Sequence, residues 1–263
     1  MKIARFSVDG QVRYGIVNGE ELSEIRGSIY KKFKVTDIKH NLKNVVLLPP
    51  TNPSEIWCPG LNFANHLEYA AEVLGEENPT VPKHPEPWIK ARSSLTGTGN
   101  PIILPVDCSG EVHYEGEAVA VIGKLCRRVT VQDAPRFVLG YTCGNDVSDR
   151  VWQRDDWTFW RAKGADTFSP VGPWIETDCN AQDLHMIVRV NGNEVQHGKT
   201  EEMLFGFGEI ISYISQQVTL YPGDLVFSGS TGVTVALNPG DVVEVDIPGI
   251  GVLSNPVVAE VTL

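Results

Sequence analysis

Apolar and polar positions alternate along much of this chain with the two-residue period of β-strands. The N-terminal stretch shows it first. ARFSVDG and VRYGIVNG read as short strands, and VDG and VNG as hairpin turns between them. A polar helix or loop follows. LLPPTNPSE, residues 47–55, is a proline-rich break. It divides a small N-terminal β module, 1–50, from a main domain, 51–263.

Beyond the break, IWCPG reads as a strand and LNFANHLEYAAEVLG as a helix. Phe63, Leu67, Ala70, Ala71 and Leu74 follow helical spacing, and Gly75 stops the run. EENPTVPKHPEP, 76–87, holds four prolines and reads as an exposed loop. A short helix joined to such a loop suits a mobile lid. From about residue 100 the pattern is mostly strand: PIILP, EAVAVIG, RFVLGYTCG, HMIVRVNG, DLVFSGS and DVVEVDI. VNGNEV, YPGD, NPGD and IPGIG are turns that connect or launch strands. EEMLFGFGEIISYISQQ, 201–217, reads as a helix with an apolar stripe of Met203, Phe207, Ile210, Ile211 and Ile214. The expected fold is mainly β with a few helices, a roll or barrel.

Composition narrows the function. The chain has 263 residues, 42% hydrophobic and 21% charged, which is ordinary for a soluble globular protein. A net charge of -11 without a basic cluster argues against a nucleic-acid partner. No apolar run approaches the ~20 residues of a membrane span, and the N-terminus lacks the apolar segment of a signal peptide. Five cysteines, none in a C-x-x-C pair, read as free structural thiols in a reducing compartment. The expected location is the cytoplasm.

One strand carries chemistry. In HYEGEAVAVIG, 113–123, Glu115 and Glu117 are two residues apart and share a face, and a buried apolar run follows them. Two such carboxylates repel and are costly to bury, and a divalent cation removes the cost. The competing reading is an exposed edge strand with two solvated acids. A third ligand is at hand in GND, where Asp146 ends the next apolar strand; Asp149, Asp155 and Asp156 are also candidates but read better as surface or turn acids. An all-oxygen set suits Mg²⁺ or Mn²⁺, and no Cys/His spacing favours zinc.

The ordered motifs G-L-N-F-x-x-H (60–66), H-Y-E-G-E-A-V-A-V-I-G (113–123), G-N-D-V-S-D-R-x-x-Q (144–153), A-K-G-x-D-T-F-x-P-V-G-P-W (162–174), V-N-G (190–192) and L-x-P-G-D-x-V-F-S-G (220–229) resemble the fumarylacetoacetate hydrolase family. The resemblance runs over about residues 53–260, and the first 50 residues resemble the N-terminal domain that many members carry. It implies a β-roll catalytic domain, a homodimer, and Mg²⁺, Mn²⁺ or sometimes Ca²⁺ held by Glu115, Glu117 and Asp146. It also implies a small anionic keto-acid substrate.

Further roles come from the same resemblance. His66 matches the lid histidine that handles a proton or water. Its usual glutamate partner, three residues on, is Tyr69 here, so Glu68 or Glu72 is left to assist. Lys163 matches a lysine near the metal that would stabilise an enolate. Lys90 matches a second pocket lysine, and Arg150 and Gln153 match residues that bind the substrate carboxylate or brace the site. FSGST, 227–231, departs from the family's T-G-T-P, but Ser230 keeps a hydroxyl for a substrate carboxylate. GVTVALNPGD lacks the usual G-V-G. Trp152, Trp157 and Trp160 read as core or dimer packing. The expected activity is C–C bond hydrolysis of an acylpyruvate-type diketo acid. The alternatives are isomerisation, as in 2-hydroxyhepta-2,4-diene-1,7-dioate isomerases, and decarboxylation of a substrate such as oxaloacetate. A non-catalytic metal- or ligand-binding protein is the rival from another class.

Overall fold

The computed structural model describes residues 1–67 and 80–261. Two sheets dominate. The larger, of twelve strands, follows the order Phe33–Asn41, Glu21–Gly27, Gln11–Asn18, Lys2–Val8, Ser169–Glu176, Val138–Asn145, Gly116–Ile122, Leu225–Phe227, Ile56–Gly60 and Glu86–Lys90, with Val46–Leu48 and Leu95–Thr96 paired off this path. The smaller has five strands: Asn193–Lys199, His185–Val190, Val242–Ile247, Gly251–Ala259 and Ile102–Leu104. Neither closes into a barrel. The fold is the mainly β roll that the strand pattern predicts. Among the described residues no helix is long and apolar enough to cross a membrane, and all five cysteines are free.

The strand Gly116–Ile122 is buried on both faces, and its two faces serve different cores. Ala118, Ala120 and Ile122 join a cluster with Met186, Val188, Val243, Val245 and Leu253 of the smaller sheet. Val119 and Val121 join Ile56, Cys58, Val171, Ile175, Leu225 and Phe227 on the other side. Side chains alternate along a strand. Glu115 and Glu117 therefore share the second face, and Gly116 faces the smaller sheet.

Several elements differ from the sequence reading. The expected polar helix or loop after VNG is two strands, Glu21–Gly27 and Phe33–Asn41, which extend the N-terminal meander. That meander joins the large sheet through Lys2↔Glu176 and Ile3↔Ile175. The proline-rich stretch 76–87 ends not as loop but in the strand Glu86–Lys90, at the sheet edge where proline is tolerated. Ser169–Glu176 is a strand despite Pro170 and Pro173, and its pairing with Val138–Asn145 is irregular there. The helix expected over 201–217 begins only at Phe207. The backbone N–H groups of Leu204 and Phe205 bond to Asn62 instead, and Glu209 accepts from the Gly206 N–H to start the helix late. Residues 64–67 are helical as expected, while the rest of that predicted lid helix lies outside the described residues.

Candidate active site

The ends of two paired strands build the site. Gly116 pairs with Asn145 and Glu117 with Gly144. One residue further, the Asp146 N–H donates to the Glu115 carbonyl at 2.8 Å. The register thus brings three acids together: ligand oxygens of Glu115, Glu117 and Asp146 lie within 4.8 Å of one another, and all three residues are buried. Asn145 helps to set the first of them, its Oδ1 accepting from the Glu115 N–H at 2.9 Å.

Three cations surround the acids. Lys163 Nζ donates to Glu115 Oε2 and Asp146 Oδ2, each at 2.7 Å. Lys90, at the end of the edge strand, ion-pairs with Asp146 Oδ1 and donates to the Phe168 carbonyl at 2.7 Å. Arg150 Nη1 lies 2.7 Å from Glu115 Oε1. Burial alone would raise the Glu115 carboxyl, but the charges of Lys163, Arg150 and His66 outweigh it and hold the group well below the usual carboxylate range. Burial would lower Lys163, yet the charges of Asp146 and Glu115 raise it. Lys163 is therefore a fixed cation rather than a proton acceptor.

Glu117 is different. Its Oε2 accepts from the Gly229 N–H at 2.6 Å, and among the described residues no lysine or arginine ion-pairs with it. Burial, then the like charges of Asp146 and Glu115, push its carboxyl well above the ordinary value. A buried carboxylate pressed by two others is relieved by a divalent cation, and the donor set is all oxygen. The three acids fit such an ion. Gly229 has φ +84, and a Cβ there would lie 2.8 Å from the Cβ of Asn62, so glycine is required for this approach.

The other expected residues fall around this cluster. His66 Nδ1 lies 2.8 Å from the Gly232 carbonyl, and its Nε2 lies 3.9 Å from Glu115 Oε1. Burial lowers its pKa, partly offset by Glu115. Gln153 Oε1 accepts from Arg150 Nη1 at 2.8 Å, so both belong to one short helix, Arg150–Asp155. Ser230 accepts from Gln196 at 2.7 Å, next to Gly229. Glu68, Tyr69 and Glu72 lie outside the described residues. Asp149 is not a surface acid: it is fully buried and caps the helix by accepting from the Val151 and Trp152 N–H groups. Trp152 is buried, while Trp157 and Trp160 stand on the surface of this chain, outside its core.

Four residues escape the sequence reading. Asn62 ties the 228–231 loop to the Phe205 turn. Gln196 reaches in from the smaller sheet. Thr234 Oγ1 accepts from Arg150 Nη2 at 2.8 Å. The Trp88 ring lies 4.8 Å beneath Lys163 Nζ. Only Asn62 sits in a quoted motif; nothing in the sequence marks the others as neighbours of the acids. Two buried donors here, Arg150 Nε and Trp88 Nε1, lack a partner among the described residues.

Comparison with known proteins agrees with this geometry. The family model described as fumarylacetoacetate (FAA) hydrolase C-terminal matches residues 55–258, and one described as Rv2993c-like, N-terminal, matches residues 1–50. Oxaloacetate tautomerase Fahd2a, mitochondrial, of Rattus norvegicus is 39% identical over 81% of this chain and 69% of its own. The crystal structure of 2-hydroxyhepta-2,4-diene-1,7-dioate isomerase from Mycobacterium marinum superposes with a TM-score of 0.90 at 36% identity, covering 100% of both chains. That of maleylpyruvate hydrolase from Sphingobium sp. SYK-6, in complex with manganese (II) ion and pyruvate, superposes with a TM-score of 0.80 at 26% identity, covering 99% of this chain and 100% of that one. The relatives thus include a tautomerase, an isomerase and a hydrolase, joined by one scaffold and, here, by one buried triad of acids: the chain belongs to the fumarylacetoacetate hydrolase family.

Proposed function

We propose that this chain is a divalent-metal-dependent enzyme acting on α-keto acids, or their 2-hydroxydienoate enols, through a stabilised enolate. One observation carries the reading: Glu115, Glu117 and Asp146 converge within 4.8 Å, buried, with Glu117 lacking a cationic side-chain partner among the described residues. Mg²⁺ or Mn²⁺ held there supplies Lewis-acid charge to the carboxylate and adjacent oxygen of the substrate.

The protein's own groups do the rest. Lys163, buried and held protonated by Asp146 and Glu115, adds fixed positive charge beside the developing enolate. Arg150 is clamped by Glu115, Gln153 and Thr234, which leaves its buried Nε–H to receive a substrate oxygen. Donation from His66 Nδ1–H to the Gly232 carbonyl fixes the tautomer with the lone pair on Nε2. Burial keeps the ring neutral. Nε2 is then the atom that takes a proton from water or from substrate carbon.

Two outcomes follow from one enolate. In hydrolysis, water activated at His66 adds to the distal carbonyl of an acylpyruvate, the C–C pair leaves as the enolate, and a proton returns to carbon. In isomerisation or tautomerisation the proton only moves. The isomerase and tautomerase relatives favour this second reading.

An ultraviolet assay tests both. Acetylpyruvate, fumarylpyruvate-like diketo acids, oxaloacetate and a hydroxymuconate-type dienoate are offered with Mg²⁺ to wild type and Glu115→Ala. Turnover should fall roughly a thousandfold, about 4 kcal/mol, in the variant. Turnover that survives both the substitution and a chelator would sink the proposal.

A further inference from the structure

Gln196 stands on the smaller sheet, 6% exposed, in the strand Asn193–Lys199. Its side chain crosses to the larger sheet. Oε1 accepts from the Gly116 N–H, between the two glutamates, at 3.1 Å. Nε2 donates to the Thr231 carbonyl at 2.5 Å and to Ser230 Oγ at 2.7 Å. The amide has one sensible orientation. Turned over, it would set an NH₂ against the Gly116 N–H and an oxygen against the Thr231 carbonyl.

This fixes the polarity of Ser230. The hydroxyl oxygen receives a proton from Gln196, and its own proton has no acceptor among the described residues. Ser230 is 4% exposed and follows Gly229, whose N–H binds Glu117. A buried hydroxyl held as an acceptor on its protein side presents a donor on the other.

We propose that Gln196 is a positioning residue that turns the Ser230 proton toward the ligand, and so selects ligands with an acceptor, such as a carboxylate oxygen, at that point. The proposal depends on the α-keto acid reading of the site. Gln196→Glu tests it. A glutamate can accept from Gly116 N–H as before, but it also accepts from the Ser230 hydroxyl. The hydroxyl then shows the ligand its lone pairs instead of its proton.

Oxalate, which carries only acceptors, and oxamate, which offers an NH₂ in place of one oxygen, are the probes. Their binding to the Mg²⁺-loaded protein is measured by calorimetry. Gln196→Glu and Ser230→Ala should each weaken oxalate about tenfold. In Gln196→Glu the preference for oxalate over oxamate should fall about tenfold as well. Both effects of the glutamate should shrink to twofold or less in the Ser230→Ala background. Losses that simply multiply would mean that charge or folding is responsible, and would overturn the proposal alone. Wild-type protein that binds neither probe with Mg²⁺ would overturn it together with the functional reading. If the glutamate variant does not fold, Gln196→Met enters the same cycle. It releases the hydroxyl to rotate, with a loss of about threefold that must again vanish without Ser230.

Discussion

Asn62 Nδ2 donates to the Ser228 carbonyl at 2.7 Å, across 166 residues of sequence. The same amide donates to the Phe205 carbonyl at 3.0 Å and accepts from its N–H at 2.9 Å. One buried side chain thus fastens the loop that presents Gly229 and Ser230 to the segment that precedes the helix Phe207–Gln217. Asn62→Ala would leave three backbone groups unsatisfied. The expected cost is about 2 to 4 kcal/mol. Urea denaturation measures it, and a loss under about 0.5 kcal/mol would contradict the clamp. Turnover should suffer too, because the Gly229 N–H that holds Glu117 is part of the clamped loop.

Gly116 separates the two glutamates and faces the smaller sheet. A Cβ there would sit 2.2 Å from Val188 Cγ2 and 3.4 Å from Val245 Cγ1. Gly116→Ala should therefore destabilise by about 1 to 3 kcal/mol through overpacking. The remedy identifies the cause. Val188→Ala opens a cavity and is destabilising alone, but combined with Gly116→Ala it should cost less than the sum of the two. Additive losses in the double variant would place the strain elsewhere.

Asp149 holds the helix that carries Arg150 and Gln153. Its Oδ1 accepts from Val151 N–H, Trp152 N–H and the Ser109 hydroxyl, and its Oδ2 accepts from Ser109 N–H. Asp149→Ala should cost about 2 to 4 kcal/mol, more than an ordinary cap, because the position is fully buried. Asp149→Asn keeps one acceptor oxygen and should cost less. Both should raise KM more than they lower kcat if the helix serves to hold the substrate. An unchanged KM beside the stability loss would confine Asp149 to folding.

The legible part of the site was what local chemistry forces. Two acids at strand spacing ahead of an apolar run cannot be buried without a cation, so Glu115 and Glu117 announce themselves, and Asp146 ends the neighbouring strand by the same pattern. Asp149 was not legible, because a buried cap and a surface turn acid look alike until Ser109 is seen beside it. Gln196 was hidden for a related reason. Its partners lie on another sheet, and no periodicity encodes contacts between sheets. The late start of the helix Phe207–Gln217 shows the same limit, since helical spacing from Met203 onward loses to the hydrogen bonds that Asn62 offers Leu204 and Phe205. The strand Ser169–Glu176 defeats propensity outright: with two prolines it would pass for a loop, yet it links the N-terminal meander to the strand that leads to Asp146.

The charge on Glu117 gives the metal reading its sharpest test. Without a cation, burial and the charges of Asp146 and Glu115 work against this carboxylate. Glu117→Gln removes the charge and keeps an oxygen for the Gly229 N–H. In chelator the variant should be more stable than wild type, by about 1 to 3 kcal/mol. Mg²⁺ should reverse the order. At a hundred times its dissociation constant, a bound ion adds about 2.7 kcal/mol to wild type, or roughly 5 to 10 °C in melting temperature at this chain length. The variant, with one ligand weakened, should gain little at the same concentration. Paired melting curves in chelator and in Mg²⁺ measure both effects. Equal gains in the two proteins would remove Glu117 from the ligand set, and no gain in wild type with Mg²⁺ or Mn²⁺ would leave the three acids as a charge cluster balanced by Lys90, Lys163 and Arg150 alone.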